Sequence, residues 1–498
     1  MARAVSAAIV GGGFGGVAAA IALERAGMKE ITILERGDRL GGVWRANTYP
    51  GAACDVPSHL YSYSFAPNPR WSRRFSPGPE IQAYLEGVAR RFGVDKHVRF
   101  GADVQRASFD EQGGRWRLEL AGGEELEAEI LIAACGQLTR PAIPAIPGLE
   151  GFAGKIFHSA HWDHDHDLRG RRVAVIGTGA SAIQFVPAIA PEVAALTVFQ
   201  RSAPWTLPKP DVEYRERTKR LYERLPPLQL LWRGVWWGLL ESLVPIFTRR
   251  PAWLGRMTTA PYKVISSLNR IAQLRGDPRL VAATRPDYPL GCKRVLITSD
   301  WYPALRAPNV ELVTDPVREV LPDGVLTADG RRHPADTIIL GTGFTATELL
   351  APMEIHGREG RALKDFWARG AEAYLGMNVP GFPNLFLLYG PNTNHGTGSA
   401  IGLLEAQADY VADAARLLAS GAAERLEVRR EVHDAFQAEL AGRLAESVWA
   451  TCSSWYVTAE GRVTQNWPGT FREYLRRVKR VNPAEFHTRV PAPVTTGV

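Results

Sequence analysis

Cysteine and methionine are scarce in this chain: 498 residues hold four of the first and five of the second. Cys54, Cys135, Cys292 and Cys452 form no CxxC pair and no zinc-like spacing. That argues against a disulfide framework, a redox dithiol and a metal site, and a reducing cytoplasm is the expected setting. A strong charge bias is also missing. The 59 basic and 52 acidic residues leave a net charge of +7, read as spread along the chain rather than packed into a tail. Nucleic acid is therefore not an expected partner, and anionic cofactors account for the excess. No secretory signal is visible, because Ala7-Ala8-Ile9-Val10 runs straight into a glycine cluster, so the mature chain is expected to begin near Met1. A spanning apolar run is lacking as well: Leu228 to Phe247 is interrupted by Arg233, Glu241 and Pro245. That segment reads as a buried or groove-lining helix, with an interfacial anchor as the alternative, and membrane association is not expected. No heptad stands out that would speak for an oligomer.

What the chain does have is ordinary globular composition, 45% hydrophobic and 22% charged, over a length that suits two or three domains. It opens with a strand, a glycine turn, a helical run from Gly16 to Ala26 and a second strand from Ile31 to Glu35. The same βαβ rhythm returns between Arg172 and Gln200. Between them lies the Pro-rich stretch from Thr139 to Gly148, a stiff crossing from one domain to the next. The predicted fold class is α/β, with two Rossmann-like dinucleotide-binding domains and a helical insertion in the second. The divisions are residues 1–145 and 336–498 for the first domain with the C-terminal helices and loops, 146–207 and 288–335 for the second, and 208–287 for the Trp-rich insertion.

Gly11, Gly13 and Gly16 form GxGxxG between an apolar strand and a helix. The first permits a tight turn, the second lets backbone approach a pyrophosphate, and the third lets helix pack on strand. Phe14 lies within the motif, and the N-terminus of the helix that follows faces the phosphates. Glu35 closes the second strand at roughly the 20-residue distance where a carboxylate accepts ribose hydroxyls. The second unit, Gly177-Thr178-Gly179-Ala-Ser181-Ala182, keeps two glycines and replaces the third by alanine. Arg201 follows Ala182 at the separation by which Glu35 follows Gly16, so equivalent strand ends carry opposite charge. A carboxylate suits a free 2′-hydroxyl and a guanidinium suits a 2′-phosphate. The first turn therefore reads as an FAD site and the second as an NADPH site; the bland alternative for Arg201 is a solvated strand-end arginine.

Between the two turns, Phe152-x-Gly154-x-x-x-His158-x-x-x-Trp162-Asp163 matches the FxGxxxHxxxW(P/D) sequence of the Baeyer–Villiger monooxygenases, a branch of the class B flavin monooxygenases. Gly41-Gly42-Val43-Trp44, Tyr49-Pro50-Gly51 and Asp55 resemble that family's longer pattern [AG]GxWxxxx[FY]P[GM]xxxD. The resemblance extends through Gly291-Cys-Lys293-Arg294, Gly341-Thr-Gly343-Phe344, Tyr374-Leu-Gly376 and Ser454-Trp455-Tyr456.

The resemblance implies an enzyme that reduces FAD with NADPH, adds O2 to form a C4a-peroxyflavin and inserts one oxygen beside a ketone carbonyl to give an ester or lactone. Arg294 holds the place of the family's catalytic arginine, an always-charged donor suited to a buried anion. Asp55 would orient it, and Gly42 and Trp44 would lie near the flavin. Lys293 would join Arg201 and Ser202 on the NADPH 2′-phosphate. His158 is assigned to coupling the domains rather than to proton chemistry. The loop Tyr389 to Ser399 lacks the serine-proline run of the best-known ketone monooxygenases, and Ser454-Trp455-Tyr456 continues as Val-Thr-Ala-Glu-Gly461 instead of Gly-Ala-Asn. These departures bear on substrate range and loop closure. Three readings compete: a flavin monooxygenase acting on sulfur or nitrogen, for which a thioether is the test substrate; a disulfide reductase, which needs a close cysteine pair; and a nucleotide sensor without catalysis.

Overall fold

The computed structural model describes residues 3–248, 252–452 and 454–489. Strand Ser6–Val10 (β1), helix Phe14–Arg25 (α1) and strand Glu30–Glu35 (β2) make the first βαβ unit, followed by Val98–Phe100 (β3) and Ile130–Ala133 (β4). The second set is Lys155–His158 (β5), Arg172–Ile176 (β6), helix Ala182–Ile189 (α2) and Ala195–Phe199 (β7). Helices Pro226–Glu241 (α3), Pro245–Thr248 (α4) and Ala252–Gln273 (α5) follow. The chain then supplies Val310–Val313 (β8), Thr337–Leu340 (β9), Leu385–Leu387 (β10) and the helices Ala400–Ala419 (α6) and Phe471–Arg477 (α7).

These strands sort into two parallel five-stranded sheets, β10-β4-β1-β2-β3 and β8-β7-β6-β9-β5. Strands covered on both faces need apolar residues at every position, and β4 (Ile-Leu-Ile-Ala) and β9 (Thr-Ile-Ile-Leu) are buried throughout. Helix α1 is buried from Phe14 to Leu23, its alanines allowing close packing against α6, which is itself alanine-rich. The α/β class and the two nucleotide-type sheets agree with the sequence reading.

One predicted division moves. The sequence reading places residues 336–498 in the first domain, but β9 pairs with β6 and β5 and so lies inside the second sheet. The return crossing comes after it: Ala142 N–H donates to Gly343 O at 2.8 Å and Thr345 N–H to Arg140 O at 3.0 Å, so the outgoing Pro-rich segment and the returning one run side by side. A four-residue run buried on both faces has no alternation to reveal which sheet it joins.

Three further expectations are corrected. Cys292 and Cys452 form a disulfide across 160 residues of sequence, a pairing that no local spacing signals. The segment Leu228 to Phe247, read as one buried or groove-lining helix, is two: Val244, Ile246 and Phe247 at and beside α4 are buried, but α3 keeps only Gln229 buried and exposes Leu230, Leu231, Trp232, Val235 and Leu239. The basic surplus is not spread evenly either: residues 215–275 hold twelve Lys and Arg against three Glu, while the remainder of the chain is slightly acidic. No helix among the described residues is long and apolar enough to cross a membrane.

Candidate active site

Both glycine turns are built for close approach. Gly11 adopts φ +110°, and a Cβ there would sit 2.6 Å from Ala134 O on the neighbouring strand's end. A Cβ on Gly16 would lie 2.0 Å from Gly11 O, so α1 can pack on β1 only with glycine at that position. Gly13 is different, because a Cβ there would meet only Gly42, at 3.5 Å. Its open face, and an α1 N-terminus with no side-chain cap, leave backbone N–H groups available to an anion. The Gly41-Gly42 turn is pinned to this loop by Gly41 N–H donating to Gly12 O at 3.0 Å. Glu35 is buried and accepts from Gly12 N–H at 2.7 Å and Gly37 N–H at 2.8 Å, with Arg45 at 3.6 Å.

The second turn repeats the geometry. Gly177 has φ +112°, and a Cβ there would lie 2.4 Å from Gly341 O, whereas Gly179 is nearly open. Thr178 Oγ1 donates to Ser202 O at 3.3 Å, tying turn to strand end, and Ser181 stands at the N-cap of α2, where Ala182 is buried. Lys293 Nζ donates to Ser202 Oγ at 2.9 Å. Burial, and then the neighbouring Arg201, push the Lys293 ammonium below the usual lysine range. Two cations and a hydroxyl thus gather at one strand end, while the Arg201 side chain is exposed.

The loop carrying the longer pattern reaches across to this second unit. Tyr49 OH donates to Gln184 Oε1 at 3.0 Å, Gln184 Nε2 donates to Ala53 O at 2.9 Å, and a Cβ on Gly51 (φ +79°) would meet Gln184 O at 2.7 Å. That clamp on α2 sets the position of Asp55. Arg294, 239 residues further on, donates to Asp55 with Nε at 3.0 Å and Nη2 at 2.6 and 2.7 Å. Asp55 is the chief cause of a guanidinium pKa raised further above its already high value. The pair is not sealed: 45% of the Arg294 side-chain surface remains accessible. Trp44 is half-buried and donates from Nε1 to Tyr61 OH at 3.0 Å.

His158 ends β5, buried, with Nδ1 accepting from Ala160 N–H at 3.1 Å and its ring edge-on to Phe344 at 5.8 Å. Burial lowers its pKa to about 4, which keeps it neutral and in agreement with a structural place on the crossing.

Sequence reasoning missed Tyr389 and Tyr456, both within electrostatic reach of Asp55 and Arg294. Burial raises the Tyr389 pKa to about 12, so its hydroxyl stays protonated, and it donates to Asn394 Oδ1 at 2.9 Å. Tyr389 has φ +57°, and its N–H is held by Gln407 at 2.9 Å. Both tyrosines stand in stretches singled out by sequence, but their relation to Arg294 exists only in three dimensions. The disulfide adds to it, joining the segment just before Lys293-Arg294 to the one just before Tyr456.

Residues 8–224 match the pyridine nucleotide-disulphide oxidoreductase family, a span that includes both glycine turns but neither bonded cysteine. The chain is 44% identical to a Baeyer–Villiger monooxygenase of Streptomyces coelicolor over 99% of its own length and 94% of that protein's. Its fold matches the structure of an oxidised steroid monooxygenase bound to NADP with a TM-score of 0.84 and 31% identity, covering 96% of this chain and 97% of the other. It also matches the complex of OTEMO with FAD and NADP with a TM-score of 0.85 and 26% identity, over 96% and 98% of the two chains. Paired glycine turns, a clamped Asp55–Arg294 pair between them and whole-length similarity lead to one assignment: the chain belongs to the Baeyer–Villiger monooxygenases.

Proposed function

We propose that this protein is an FAD- and NADPH-dependent monooxygenase that inserts one atom of O2 beside the carbonyl of a small-molecule ketone. The observation that carries this reading is the Asp55–Arg294 pair, a cation fixed by its carboxylate partner yet still accessible. Bound FAD, reduced by NADPH, supplies the activated oxygen.

The chain's own residues do the rest. Gly11, Gly13, Phe14 and Gly16 receive the FAD pyrophosphate, Glu35 takes its ribose, and Gly42 and Trp44 flank it; this is the role of the layer built on β1. Gly177, Thr178, Gly179, Ser181 and Ala182 receive the NADPH pyrophosphate, with Arg201, Ser202 and Lys293 on its 2′-phosphate, in the layer built on β6. The open Cβ directions at Gly13 and Gly179 support both assignments. Arg294 stabilises negative charge as it develops, and Asp55 holds the guanidinium plane in place and partly balances its charge in the absence of an anion. Tyr389, kept protonated, adds a neutral hydroxyl to the same wall.

The test is product analysis of the purified flavoprotein with NADPH, O2 and, in parallel, a ketone and a thioether. Ester or lactone from the ketone supports the proposal. Sulfoxide alone, with the ketone returned unchanged, moves the activity to heteroatom oxygenation.

A further inference from the structure

The helical insertion is amphipathic the wrong way round for a helix that faces water. Two charged residues interrupt α3, and both are turned into the protein. Arg233 Nη1 donates to the carbonyls of His59, Leu60 and Ser62 at 3.1, 3.3 and 2.8 Å, and Glu241 accepts the N–H groups of Phe471 and Arg472 at 3.1 Å each, at the start of α7. Gln229 is buried as well, donating to Asn68 O at 2.7 Å. The outward face carries Leu230, Leu231, Trp232, Val235 and Leu239 instead. Helix α5 repeats the inversion: Ser266 and Arg270 are buried, while Trp253, Met257, Val264, Ile265, Leu268 and Ile271 are exposed. Of the sixteen large apolar side chains exposed among the described residues, thirteen fall between Leu221 and Ile271. Scattered surface apolar residues need no explanation, but their concentration on one insertion does.

The charges around these helices choose the partner. Of the twelve basic residues that give 215–275 its surplus, Arg233 and Arg270 are turned inward, but Arg217, Arg220, Arg224, Arg256 and Lys263 are exposed. A second copy docking through the same face would set one such surplus against another. An anionic surface would be attracted by the charges and would accept the apolar side chains beneath its headgroups. Tryptophans such as Trp232 and Trp253 favour that headgroup depth.

We propose that the α3 and α5 faces of the insertion dock on an anionic lipid bilayer, inserting their outward apolar side chains at the interface without spanning it. The inference is independent of which substrate the enzyme oxidises.

The experiment is co-sedimentation of the FAD-loaded enzyme with phosphatidylcholine vesicles containing about 30% phosphatidylglycerol, with pure phosphatidylcholine vesicles as the comparison. Most of the protein should pellet with the anionic vesicles at low salt, and about five-fold less with neutral vesicles or in about 0.5 M salt. The double variant Leu231→Glu/Leu268→Glu should lose binding to a similar extent while keeping its circular dichroism and bound flavin. Binding that survives the double variant overturns the proposal, since charge alone would then hold the protein. Absence of binding also overturns it; if light scattering then shows a dimer that the double variant dissociates, the faces serve a second copy of the chain.

Discussion

The two glycine turns hold their first residue almost identically, at φ +110° for Gly11 and +112° for Gly177, and both aim a helix start at the same kind of space. They differ in what surrounds that shared backbone. Glu35 is buried and accepts from two backbone N–H groups with Arg45 nearby, so the carboxylate at the first turn is held and its charge partly balanced. Arg201 is exposed beside Lys293, and among the described residues neither of them donates to a carboxylate there. The second turn thus holds a positive charge that an incoming phosphate would neutralise. The third position differs too. Gly16 has no space for a methyl group, whereas Ala182 has one and packs it beside Gly341. One backbone design thereby carries two side-chain settings, a held carboxylate at one turn and a pair of neighbouring cations at the other.

The largest effect is expected between the turns. Arg294→Ala should lower ester formation by at least about 10²–10³-fold while NADPH still bleaches the flavin, because the proposed function assigns reduction to the turns and oxygen insertion to the pair. Single-turnover absorbance combined with product analysis separates these steps, and equal loss of both would merge what the comparison divides. Gly16→Ala should yield protein largely without FAD, read from its visible absorbance, at an overpacking cost of about 1–3 kcal/mol, whereas Ala182→Gly should retain it. Equal tolerance at both positions would erase the asymmetry. Arg201→Ala should raise the NADPH Michaelis constant about 10–100-fold and leave that for NADH nearly unchanged. The smallest effect is in pH. Lys293 has a lowered pKa in the free enzyme and must be charged to hold a phosphate. NADPH binding should therefore weaken as pH rises through that lowered value, before an ordinary lysine would titrate. Lys293→Arg should flatten the profile.

Much of this was legible in the sequence because the relevant signals are local. The glycine spacings, the apolar strands before them and the opposite charges at Glu35 and Arg201 occupy short windows, and the structure sets them where those windows imply. The partnership of Asp55 with Arg294, 239 residues apart, was reachable only through family patterns, since no local rule couples such distant positions. The same distance hid the Cys292–Cys452 bond and the approach of Tyr389 and Tyr456 to the pair. The orientation of α3 was hidden for another reason. Helical periodicity identifies an apolar face and a charged face but does not say which one meets the protein, and the usual assumption fails when Arg233 and Glu241 find backbone partners inside.

The bond between Cys292 and Cys452 closes a covalent ring that contains the whole stretch between them, including β8, β9, β10 and α6. A peptide bond cut anywhere in that ring leaves a single molecule under non-oxidising, non-reducing conditions, with Arg294 and Tyr456 still tethered to each other. A cut in the insertion, outside the ring, releases two pieces. Limited proteolysis run with and without reductant therefore sorts every nick in this enzyme into one of two classes by gel mobility alone.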